Sequence, residues 1–79
     1  MKAKIIVLPR KEVLDPQGEA VRSGLHSLGY DEVESVRVGR YVELELEGFP
    51  ADVDARVQTM CKKLLANEVI EDFQYSVES

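Results

Sequence analysis

Over residues 33–47 one parity carries Val36, Val38, Val42, Leu44 and Leu46, and the other carries Arg37, Tyr41, Glu43, Glu45 and Glu47. Alternation of this length requires a half-buried strand, because successive side chains of a strand point to opposite faces. A two-residue turn at Gly39-Arg40 would fold the stretch into a hairpin. It would also set Val38 opposite Tyr41 and Val36 opposite Glu43, so valines would share a face with acids. Parity rejects that hairpin. A three-residue loop over 39–41 keeps the pattern, and so does one continuous strand bent or bulged at Gly39. Length favours the second. Fifteen extended residues at ~3.3 Å each span about 50 Å, whereas a compact chain of this size is roughly 30 Å across. A continuous strand overhangs its own domain and needs a second chain beside it, so the expectation is a dimer or a larger oligomer.

The rest of the chain supplies four more elements and no linker or repeat, which makes 1–79 one domain. Lys2 to Leu8 is rich in β-branched residues and stops at Pro9; Ala3, Ile5 and Val7 share one face, Ile6 and Leu8 the other. Asp15 as N-cap and Pro16 at the first helical position open a helix over 16–28. Val21, Leu25 and Leu28 form its apolar stripe, and Gly29 closes it. After Gly48-Phe49-Pro50, the spacing of Val53, Val57, Met60, Cys61 and Leu64 predicts a second helix, with Asn67 as a left-handed stop. Asp52 and Asp54 near its start, and Lys62 and Lys63 near its end, suit its dipole. Val69 to Val77 reads as a last strand with Phe73, Tyr75 and Val77 on one face. The order is β-α-β-α-β, the middle strand serving as two. That predicts an α+β, ferredoxin-like-related fold with a long central strand and both helices on one face of an antiparallel sheet, completed across a dimer.

Ten basic against fifteen acidic residues leave a charge of −5, a field that repels phosphate backbones and argues against nucleic acid. Only Tyr41 is aromatic in the middle stretch, where RNA-reading sheets carry stacking residues. The run Ile5-Ile6-Val7-Leu8 is too short for a signal peptide or a membrane span, and a lone Cys61 cannot form an internal disulfide. A cytoplasmic protein is expected.

Catalytic groups are hard to find. His26 reads as a helix-edge residue and Cys61, beside Met60 and Leu64, as a buried inert thiol. Glu43, Glu45 and Glu47 read as a solvated strand face. Gly18, Gly24, Gly29 and Gly39 form neither a P-loop nor a dinucleotide fingerprint. No catalytic, cofactor-binding or metal-ligating residue is assigned. The one unusual group is Arg37, Gly39, Arg40 and Tyr41, two cations and an aromatic in an otherwise acidic stretch. It fits a subunit interface, where Arg and Tyr are enriched, and equally a solvated bend.

Three strings resemble the PurS family, the small subunits of formylglycinamide ribonucleotide amidotransferase (phosphoribosylformylglycinamidine synthase). They are Leu14-Asp15-Pro16-Gln17-Gly18-Glu19-Ala20-Val21 with Leu25-His26-Ser27-Leu28-Gly29-Tyr30, then Val36-Arg37-Val38-Gly39-Arg40-Tyr41 with the Glu-Leu run, and finally Met60 to Asn67 with Val69-Ile70-Glu71-Asp72-Phe73. Family members often carry Lys where Arg40 stands and Pro where Glu68 stands. The resemblance implies a three-component enzyme. Its large synthetase subunit uses ATP and Mg to activate the substrate amide, its glutaminase releases ammonia, and the PurS-type dimer joins the two and supports ammonia transfer. No family catalytic residue carries over to this chain, and no cofactor is expected in it. The alternative is a stand-alone, dimeric, ferredoxin-like regulatory module that binds a small ligand.

Overall fold

A computed structural model describes residues 1–47 and 50–78. Strand β1 spans Lys2–Pro9, helix α1 Pro16–Ser27, strand β2 Arg40–Glu45 and helix α2 Pro50–Met60, which runs into a π-helical turn over Cys61–Leu65; strand β3 is Glu71–Glu78. The strands form one antiparallel sheet in the order β2-β1-β3. The β-α-β-α-β order and the α+β class are those read from the sequence. Gly48 and Phe49 of the expected helix lead-in lie outside the described residues.

Register follows the alternation. Ile5 stands between Val42 and Tyr75, Ala3 between Leu44 and Val77, and Val7 between Arg40 and Phe73. This face receives α2. Ala3, Ile5 and Val7 pack with Val53, Val57, Cys61 and Ala66, and these seven are the buried residues of the core. None is a Leu, Phe or Tyr, so the core is thin for a chain of this length, and association with other chains offers the missing burial. The other face is open. Lys4 Nζ lies 3.1 Å from Glu78 Oε1, Lys2 Nζ lies 3.9 Å from carboxylates of both Glu43 and Glu45, and Ile6 is 46% exposed in their midst.

No hairpin forms at Gly39. Arg40 and Tyr41, which a three-residue loop would have consumed, already pair with Val7 and Ile6. Within one chain the strand begins only at Arg40, however, and 33–39 carry no regular structure. A β-carbon at Gly39 would collide with the Val7 carbonyl oxygen, so glycine there permits the close approach that starts β2.

Three expectations need correction. Only α2 lies on the sheet: α1 makes no extensive contact with any strand and contributes nothing to the core cluster. It stands off as an arm, and the molecule measures 49 × 25 × 14 Å with a radius of gyration of 15.9 Å, against about 12 Å for a compact chain of this length. Asn67 is not left-handed, since Gly29 is the sole described residue with positive φ (98°). Instead the Asn67 carbonyl accepts from the Ile70 and Glu71 amides at 3.0 and 2.7 Å, a turn that delays β3 from Val69 to Glu71. Leu64, expected on the buried stripe, is 84% exposed. The π turn is the reason. Ala66 N donates to Cys61 O at 2.9 Å, five residues back, and the wider turn rotates Leu64 outward while Ala66 takes the core position.

Candidate functional site

The arm is built by side chains of α1 that satisfy the backbone of 33–38. Asp15 Oδ1 accepts from the Gly18 amide at 3.0 Å as an N-cap, and its Oδ2 accepts from the Val38 amide, also at 3.0 Å. These two bonds, Gly18 before Val38, hold the Asp15 carboxyl below the usual carboxylate range. One turn on, a β-carbon at Gly18 would collide with the Val36 carbonyl. Arg22 Nε donates to the Glu34 carbonyl at 3.0 Å, and the Val33 carbonyl accepts from His26 Nε2 at 2.7 Å. Asp15, Gly18, Arg22 and His26 recur at spacings of three and four, so one helical face binds the extended segment along its length. The sequence analysis passed over His26 and Arg22; their shared spacing with Asp15 was the signal.

Turning that face inward leaves the apolar stripe outside. Leu14 is 82% exposed, Val21 44% and Leu28 75%, at intervals of seven residues, with Tyr30 at 52%. Gly29 ends the helix as expected, with the Gly29 amide donating to His26 O and the Tyr30 amide to Leu25 O. An arm with one edge bonded and one apolar side bare is a surface for another chain.

The four residues singled out in the sequence do not converge on one spot. Arg37 Nη1 donates to the Pro9 carbonyl at 3.3 Å, and Gly39 sits against Val7. Tyr41 lies on the open sheet face opposite Ile6, its hydroxyl donating to Glu43 Oε1 at 2.9 Å. Arg40 points the other way. Its Nη1 and Nη2 donate to Glu71 Oε2 and Oε1 at 2.9 and 3.0 Å, and Nη2 also donates to the Leu65 carbonyl at 2.8 Å. Glu71 further accepts from the Asn67 amide at 2.8 Å. The Arg40 fork above all, with that amide, holds the Glu71 carboxyl below its ordinary range. Arg40 thus clamps the end of α2 to β3 across β1.

Chemistry within the chain is sparse. Among the described residues no group of three or more His, Cys, Asp or Glu side chains could hold a metal ion. No helix is long and apolar enough to cross a membrane. Burial pushes the Cys61 thiol up, away from the reactive thiolate. A cleft of about 750 Å³ at the base of the arm is lined by Arg10, Lys11, Arg37 and Asp15 among others, and it pairs no nucleophile with a base.

Comparison with known proteins places this architecture. The family model described as "PurS: Phosphoribosylformylglycinamidine (FGAM) synthase" matches residues 2–79. The chain is 53% identical over 77 residues to the phosphoribosylformylglycinamidine synthase subunit PurS of Bacillus subtilis, covering 98% of this chain and 92% of that protein. Its fold superposes on a crystal structure of B. subtilis PurS with a TM-score of 0.87 at 52% identity, over 99% of this chain and 98% of that one. A chain in the structure of PurLQS from Thermotoga maritima matches with a TM-score of 0.76 at 30% identity, over 95% and 93% of the two chains.

Proposed function

The chain belongs to the PurS family of phosphoribosylformylglycinamidine synthase subunits, and on that premise we propose that it is a non-catalytic bridging subunit. As a homodimer in the cytoplasm it joins the glutaminase to the ATP- and Mg-dependent synthetase and supports the passage of ammonia between them. The observation that carries this reading is the arm. A helix bonded to its own chain through Asp15, Arg22 and His26, with Leu14, Val21 and Leu28 bare, has given up its apolar side to a contact outside the chain.

The second copy has a natural place. One edge of 33–38 is taken by α1, and pairing along the other edge would prolong β2 into the continuous strand that alternation over 33–47 requires. It would also bring the apolar sides of two arms within reach of partner surfaces. Two-fold pairing of identical segments closes without leaving a further edge to propagate. The absence of a nucleophile–base pair among the described residues fits a role in which the other subunits do the chemistry, and the PurLQS assembly of T. maritima contains a chain of this fold.

Size-exclusion chromatography with light scattering tests the reading directly. The chain alone is expected to elute as a dimer or larger, and to join the synthetase and glutaminase in one peak when all three are mixed. A monomeric chain that elutes apart from both would refute it.

A further inference from the structure

Away from the arm, the fold holds a second apolar surface out in solvent. Leu64 is 84% exposed, Val69 82% and Ile70 42%, all within the stretch that joins α2 to β3. This stretch is firmly tied down. Arg40 holds the Leu65 carbonyl and Glu71; Glu71 holds the Asn67 amide; Asn67 Oδ1 accepts from the Val69 amide at 3.1 Å. From the other side Arg10 Nη2 donates to the Glu68 carbonyl at 2.6 Å, and the Arg10 amide to the Ile70 carbonyl at 2.8 Å. The π turn adds the telling detail. An ordinary helix would carry Leu64, three residues after Cys61, onto the same buried face. The wider turn turns it out, and π turns of this kind concentrate at functional sites. A rigid loop that presents bare aliphatic groups has already met the ordering cost of binding.

Charge says what would bind there. Lys62 and Lys63 flank Leu64, both exposed, and among the described residues neither lies within ion-pair distance of a carboxylate. They stand as a local positive patch on a chain of net charge −5. A hollow of about 510 Å³ opens between Leu64 and Val69, with Lys62, Lys63 and Asn67 on its wall. A second copy of this chain is a poor occupant. Two knuckles meeting about a two-fold axis would bring Lys62 and Lys63 of one copy against those of the other, and a knuckle seated on a different face of the same chain would propagate into rings or filaments. The geometry points to a different protein: we infer that the Leu64/Val69/Ile70 knuckle is the docking surface for one of the other synthase subunits, which offers an apolar socket with an acidic rim. The inference rests on the bridging role proposed above and assigns it a surface distinct from the arm.

The test uses the full-length chain and the purified synthetase and glutaminase subunits, each titrated by calorimetry, with self-association followed in parallel by sedimentation. Leu64→Asp combined with Val69→Asp alters two side chains that bury almost nothing within the chain. Its affinity for one of the two subunits is expected to fall by roughly thirtyfold or more, the effect of losing an interface anchor, with self-association unchanged. Lys62→Glu combined with Lys63→Glu should weaken the same contact and flatten its dependence on salt. Unaltered affinity in both double variants would overturn the knuckle as a docking surface. Loss of self-association in the Asp variant would overturn it too, by making the knuckle the contact between copies. A wild-type chain that binds neither subunit would overturn the bridging role itself, which is a separate result.

Discussion

Replacing Arg40 with alanine removes two bonds to Glu71 and one to the Leu65 carbonyl, and leaves a carboxylate that is itself only 13% exposed with the Asn67 amide as its partner. Exposed ion pairs contribute about 0–1 kcal/mol, whereas breaking a buried one costs about 3–5 kcal/mol. Arg40 is 52% exposed, so solvent screens its side of the pair. The expected loss falls between these limits, at about 1.5 kcal/mol. For a domain of this size that lowers the thermal midpoint by about 6–12 °C. Denaturation followed by circular dichroism at fixed protomer concentration measures it, because any self-association makes the midpoint concentration-dependent. A double-mutant cycle with Glu71→Gln isolates the pair, with an expected coupling of about 1 kcal/mol at neutral pH. Because Arg40 lowers the Glu71 carboxyl in the folded state, this stabilisation is full above the unfolded carboxylate's pKa. It is lost as pH falls through the lower folded value. A coupling under about 0.3 kcal/mol at neutral pH, or one that survives acidification intact, would refute the clamp.

Other substitutions probe the remaining parts. Val57→Ala, at a fully buried core position, should cost about 2 kcal/mol in urea denaturation without changing the slope. Gly39→Ala drives a methyl group at the Val7 carbonyl oxygen and should cost about 1–3 kcal/mol, read from the same curves. Asp15→Ala frees the Gly18 and Val38 amides; hydrogen exchange at both should accelerate while β1 and β3 stay protected.

The sheet was largely legible in the sequence because its information is local. Lys2 to Leu8, the parity of Val42, Leu44 and Leu46, and Phe73, Tyr75 and Val77 each declare a face within a few residues, and the observed register follows them. Asp15, Pro16 and Gly29 likewise marked the ends of α1. What failed was the assumption that an apolar stripe faces its own core. Val21 and Leu28 have the periodicity of a packed helix, yet bonds from Asp15, Arg22 and His26 to backbone atoms up to 23 residues away decided which side turned inward. Leu64 failed for a related reason. Period 3.6 holds only while the helix keeps its i→i+4 bonds, and nothing in Cys61-Lys62-Lys63-Leu64-Leu65 announces a π turn. The Arg37, Gly39, Arg40 and Tyr41 group looked like one site because its members are adjacent in sequence, but strand alternation sends Arg40 and Tyr41 to opposite faces of the sheet.

The bridging role is tested most directly by synthesis of formylglycinamidine ribonucleotide by the synthetase and glutaminase, with and without this chain, using glutamine or ammonia as nitrogen donor. Glutamine-dependent synthesis should require the chain, while ammonia-dependent synthesis should proceed without it. Equal glutamine-dependent rates in its presence and absence would contradict a coupling role.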